Sequence, residues 1–171
     1  MEGNLEKLKS IYDAIKSDVD SISNSKNSAS LNFFDKGQVG VHPVDRPGLY
    51  IFKITQSIQL NSQVFDSVKY AAKTNKNFPN DGQVEAGKYA YVGKSEDSVK
   101  KRLEEHIEQC PKTTYSLRLF DRKRKRLKKC VSVEVYYLKD VYAHYAKLIL
   151  PAAEGGLFDA LEPVIGSKRN G

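Results

Sequence analysis

Leu5, Leu8, Ile11, Ile15, Val19 and Ile22 recur at steps of three and four residues, the spacing that gathers side chains on one face of an α-helix. Residues 4 to 22 are therefore expected to form an amphipathic helix capped by Asn4, and its apolar stripe is expected to pack on the rest of the chain. A polar linker follows from Ser23 to Ser28. Beyond Pro43 and Pro47, the run from Leu49 to Ile54 is rich in β-branched and aromatic residues and reads as a strand. Tyr89 to Val92 reads as a second strand, and Val131 to Leu138, with Val131, Val133 and Val135 on one face, as a third. Between the first two strands, residues 56 to 87 change character, with a short helix expected over Val64 to Ala71 and a loop from Asn75 to Gly82. Helices are expected from Ser98 to Gln109, over Tyr115 to Leu119, from Val141 to Leu148 with Pro151 as its breaker, and from Leu157 to Ile165. This order predicts an α+β fold: a small, mainly antiparallel three-stranded sheet flanked by helices, after an N-terminal helix and linker over residues 1–30.

A chain of 171 residues is expected to make one main domain, here residues 31–171. The excess of 28 Lys and Arg over 21 Asp and Glu gives a formal charge of +7, which favours a polyanionic partner, nucleic acid being the simplest. Cys110 and Cys130 lack disulfide-scaffold or zinc spacing and read as small apolar residues in a reducing, cytoplasmic setting. No apolar run reaches the length of a membrane span, and the N-terminus lacks the layout of a signal peptide, so no membrane partner is expected.

On the helix from Ser98 to Gln109, Val99, Leu103, Ile107 and Cys110 define the buried stripe, with Arg102 and His106 together beside it. Lys100, Lys101, Glu104, Glu105 and Glu108 fall on the far side, where charge is ordinarily solvated. Taken alone, the pair reads more readily as an arginine that snorkels past a satisfied histidine. Gly48-Leu49-Tyr50 on one strand, Tyr91-Val92-Gly93 on the next, Arg102 and His106 on the following helix, then Glu162 and Asn170 near the C-terminus, resemble the signature of the GIY-YIG nuclease superfamily. The resemblance covers most of the chain, from Gly48 to Asn170.

The resemblance implies an endonuclease that hydrolyses DNA phosphodiester bonds with one Mg²⁺ or Mn²⁺ ion per active site. By similarity, Tyr50 orients or deprotonates the attacking water, which requires neighbouring cations to lower its pKa from about 10. Tyr91 helps to position water and phosphate, Arg102 grips a phosphate oxygen, and His106 binds the same group or supports a tyrosine. Glu162 binds the metal, with Glu154 as the other candidate, and Asn170 fastens the segments around the site. Lys94 is either a phosphate contact or tyrosine activator, or an exposed residue at a strand end. The separation of 41 positions between Tyr50 and Tyr91 (91 minus 50) is long for this family and resembles restriction-type or mobile-element members that carry an insertion there.

Seven of the eight residues from Arg122 to Lys129 are basic. Arg122, Lys123, Arg124, Lys125, Arg126, Lys128 and Lys129 are therefore expected to contact phosphates without reading bases. One site cuts one strand, so double-strand cleavage would need a homodimer or two events, and a further recognition domain would lie outside this chain. The competing readings are a non-catalytic nucleic-acid-binding module on the same fold and a basic scaffold that associates through the first helix.

Overall fold

The computed structural model describes residues 2–24, 31–38, 42–60, 82–108 and 128–165. The expected elements over 64–71, 75–81 and 115–119, together with Cys110, Arg122 to Arg126 and Asn170, lie outside the described residues.

Strand β2 (Gly48–Ile54) is the centre of the molecule, and every residue in it except Lys53 is buried. Such a strand needs cover on both faces, and its alternation divides the core in two. Leu49 and Ile51 face helices α1 (Glu2–Ser23) and α3 (Ala146–Leu161), where they meet Ile15, Val19, Ile149, Leu150 and Leu157. Tyr50, Phe52 and Ile54 face helix α2 (Val99–Ile107), where they meet Val99 and Leu103. The result is an α+β sandwich with the sheet between helices. Among the described residues, no helix is long and apolar enough to cross a membrane.

Among the described residues, the sheet is antiparallel and has four strands, not the expected three, in the order β1-β6-β2-β5. Strand β5 spans Tyr89–Ser95 and β6 spans Val131–Leu138. The added strand, β1 (Phe34–Lys36), pairs with the end of β6 and buries only Phe34, too little for an alternating pattern to announce it. Asp18 ties it to α1 by accepting the backbone N–H groups of Asn32 and Phe33 at 2.7 and 2.6 Å. The described ends of the segment between β2 and β5 form a second, two-stranded ribbon, β3 (Ile58–Leu60) with β4 (Gly82–Val84), whose Ile58 and Val84 join the α2-side core.

Three helical expectations change. Helix α1 begins at Glu2, ahead of the expected Asn4 cap, and only its second half packs on the chain. Leu5, Leu8 and Tyr12 remain 72%, 55% and 63% exposed, whereas Ile15, Val19 and Ile22 are buried. Pro151 does not break a helix: Asp140–Tyr145 forms a 3-10 helix, and α3 then runs unbroken to Leu161. Pro151 and Lys147, the residue whose carbonyl it cannot satisfy, both lie on the exposed face, where water can replace the lost hydrogen bond.

At Gly48, a Cβ would lie 2.3 Å from the Tyr136 carbonyl oxygen on the neighbouring strand, so β6 could not keep its register against a side chain. Gly48→Ala should lower the thermal midpoint by an amount corresponding to about 1–3 kcal/mol. An unchanged melting curve would show that β2 and β6 can part without cost.

Candidate functional site

Register brings the two tripeptides face to face. Tyr50 of β2 pairs with Gly93 of β5, and Phe52 pairs with Tyr91. The Tyr50 ring crosses Gly93 so closely that a Cβ there would stand 2.6 Å from both Cζ and Oη, which accounts for glycine at this position. A bulge between Phe52 and Lys53 then sends Tyr89 to the other side of the sheet, against the simple alternation that would place it with Tyr91. There Lys53 Nζ lies 5.6 Å from its ring centroid.

Helix α2 supplies the remaining groups. Ser98 caps it by accepting from Lys101 N at 3.0 Å, and Asp45 in turn accepts from the Ser98 hydroxyl at 2.5 Å. Val99 and Leu103 anchor the helix over β2, and this directs Arg102 and His106 at the tyrosines. His106 Nε2 lies 3.0 Å from the Tyr50 hydroxyl. The His106 ring sits 5.3 Å from those of Tyr50 and Tyr91 and 5.5 Å from that of Phe52. Arg102 hydrogen-bonds to the same Tyr50 hydroxyl and to the Glu105 carboxylate.

Proton placement follows from these partners. A guanidinium only donates, so the Tyr50 oxygen accepts from Arg102 and its own hydrogen is directed to His106 Nε2. That requires neutral His106 with its proton on Nδ1. Burial, helped by the Arg102 charge, lowers the His106 pKa to about 3 and keeps the ring neutral. Burial also raises the Tyr50 pKa well above 10, and Tyr91 and Glu154 add to this, against the charge and hydrogen bond of Arg102. Burial alone would lower the pKa of Arg102, but Tyr50, Glu105 and Tyr91 outweigh it, so the guanidinium stays charged.

Thus Tyr50, Tyr91, Arg102 and His106 converge, as the sequence suggested. Lys94 stands apart from them. It pairs with Leu49, whose side chain belongs to the opposite face of the sheet, and its Nζ bonds to Glu96 Oε1 at 2.5 Å. Glu154, half-buried within α3, whose core residues cover the other face of the sheet, has the least of the effects on Tyr50, a small upward one. Glu162 instead caps the exposed end of that helix in a left-handed conformation, φ 44°. Pro163 bars it from continuing the helix. Lys128 and Lys129, the described part of the basic run, are exposed in a helical turn before β6.

Glu105 is the residue that helix-wheel reasoning missed. Placed among solvated charges, it is in fact partly buried against Arg102, a pairing that the i, i+3 spacing could have flagged. Among the described residues, no group of three or more His, Cys, Asp or Glu side chains gathers to hold a metal. A single carboxylate, that of Glu154 or of Glu162, can hold a hard cation only if the remaining ligands come from water and phosphate.

The neutral histidine gives a pH signature. Its folded pKa is depressed below the ordinary 6.5, so its contribution to stability is full above 6.5 and is lost as pH falls toward 3. Between pH 6.5 and 5, this one group should cost about 1.5 kcal/mol. Chemical denaturation at the two pH values should show that loss in the wild type and a flatter profile in His106→Gln; parallel profiles would contradict a buried neutral imidazole. Comparison of the chain with protein-family models, with curated proteins and with solved structures found no match.

Proposed function

We propose that this protein is a metal-dependent endonuclease that hydrolyses phosphodiester bonds in DNA. The observation that carries the proposal is the convergence of Arg102 and His106 on the Tyr50 hydroxyl, with Tyr91 beside it and the charge of Glu154 in reach. Hydrolysis of a phosphodiester needs a route for a proton off water and cations for the charge that builds on phosphorus. Arg102, which keeps some exposure, donates to a phosphoryl oxygen, and half-buried Tyr91 holds the attacking water. As the water oxygen bonds to phosphorus, its proton passes to the Tyr50 oxygen while the Tyr50 proton passes to His106 Nε2. The bond from phosphorus to the leaving deoxyribose oxygen breaks, that oxygen takes a proton from solvent, and His106 gives up its proton and returns to the neutral form. A Mg²⁺ or Mn²⁺ ion on Glu154, when bound, supplies Lewis acidity to the phosphoryl oxygen and reverses the effect of that carboxylate on the Tyr50 pKa.

The charge balance of +7 and the exposed Lys128 and Lys129 suit a nucleic-acid backbone, and we place Arg122, Lys123, Arg124, Lys125 and Arg126 in the same role. Asn170 retains its proposed fastening role. For cleavage of both strands by a pair of copies, the exposed Leu5, Leu8 and Tyr12 offer an apolar face. One observation favours the second reading, a non-catalytic nucleic-acid-binding module: Tyr50 is only 1% exposed and His106 is 0%. In that reading the polar cluster stiffens the core beneath a binding surface.

Plasmid nicking in Mg²⁺ separates the two. Wild-type protein should nick, and Tyr50→Phe, Arg102→Ala and Glu154→Gln should each lose about a hundredfold in rate or more. Glu162→Gln should cut as the wild type does. Retention of duplex DNA without any nicking by the wild type would establish the binding module. Equal nicking by all variants would remove these residues from the reaction.

A further inference from the structure

Arg102 is already paired. Its Nη1 donates to Glu105 Oε2 within one turn of α2, and the two side chains retain only 20% and 17% of their exposure. The same guanidinium donates to Tyr50. An arginine side chain has many rotamers, and Val99 and Leu103 fix the helix but not the end of so long a side chain. The carboxylate of Glu105 holds the fork from within the same helix. It is also an anion at the place where an anionic ligand must arrive. A phosphate is recognised by the same donors that now hold a carboxylate.

From this geometry we propose that Glu105 is a positioning residue that serves as the resident counter-ion of Arg102, aiming the guanidinium at the Tyr50 hydroxyl and yielding it in part to a substrate phosphate. The inference rests on the nuclease reading for its catalytic consequence, but its binding consequence stands apart from turnover. The two duties of the carboxylate have opposite signs. Its oxygen holds the arginine in place, which favours the reaction, whereas its charge repels the phosphate, which weakens binding. Selection for tight binding alone would favour a neutral acceptor at this position, and selection for an aligned guanidinium favours the charge.

Two substitutions separate the duties. Glu105→Gln retains an oxygen acceptor and removes the charge; Glu105→Ala removes both. The full-length wild type, both variants, Arg102→Ala and the double variant R102A/E105A are compared. Binding of a fluorescein-labelled mixed-sequence duplex is measured in Ca²⁺, steady-state cleavage in Mg²⁺, and thermal melting serves as a check on folding. Both Glu105 variants should bind duplex several-fold more tightly than the wild type, and Arg102→Ala should abolish that gain. For Glu105→Ala, kcat should fall by about tenfold or more, with KM lowered or unchanged. Glu105→Gln should recover part of that loss, and R102A/E105A should be no slower than Arg102→Ala.

Equal affinity of wild type and Glu105→Gln would overturn the counter-ion role. An unchanged kcat in Glu105→Ala, or a further loss in the double variant, would overturn the positioning role. Should the wild type bind but not cut, the nuclease reading fails by itself. The affinity gain and its dependence on Arg102 then still decide whether Glu105 guards the guanidinium. Should Glu105→Ala fail to fold, the Gln variant alone decides the binding claim.

Discussion

A phenol hydroxyl buried without partners would cost about 1–3 kcal/mol, and Tyr50 lies in the core between the sheet and α2. Arg102 and His106 meet that demand from one helix, and Gly93 leaves room for the ring on the adjacent strand. Each participant constrains the others. The histidine must stay neutral to face the hydroxyl hydrogen, the arginine must stay charged to donate, and both depend on where Val99 and Leu103 seat α2. The arrangement of sheet, helix and glycine around this hydroxyl is therefore one unit.

Its polar members are unequal in exposure, which gives the site a direction. Tyr50 and His106 form a closed floor, and Tyr91, Arg102 and Glu105 lie nearer to solvent. The Tyr50 pKa is far above the range of a useful base, so its proton can leave only when charge around it changes. For the reaction we propose, such a site would be quiet until a cation and an anionic substrate are both present. The same burial would make a stable polar core in a protein that binds without cutting.

Much of this was legible in the sequence because it depends on local rules. Alternation in β2, the tripeptides around Tyr50 and Tyr91, and the four-residue step from Arg102 to His106 each fix a face within one element. What escaped depends on relations between elements. Strand β1 exists because β6 offers it an edge, and its three residues carry too little pattern to be seen alone. Tyr89 leaves the face of Tyr91 because of a bulge that only pairing with β2 defines. Helix α3 passes through Pro151 because buried Leu150, Ala153 and Leu157 hold both sides of it to the core. Glu154 falls inside a helix and Glu162 at its end because that longer helix runs from Ala146 to Leu161.

The central claim is that Tyr50, Arg102, His106 and Glu154 address a single phosphodiester. A crystal structure of Tyr50→Phe with a duplex and Mn²⁺ tests it most directly, because the metal can be located by its anomalous scattering. The account predicts an anomalous peak at the Glu154 carboxylate, shared with a phosphate held by Arg102. A peak at Glu162, or a duplex whose phosphates all lie away from Arg102, would contradict it.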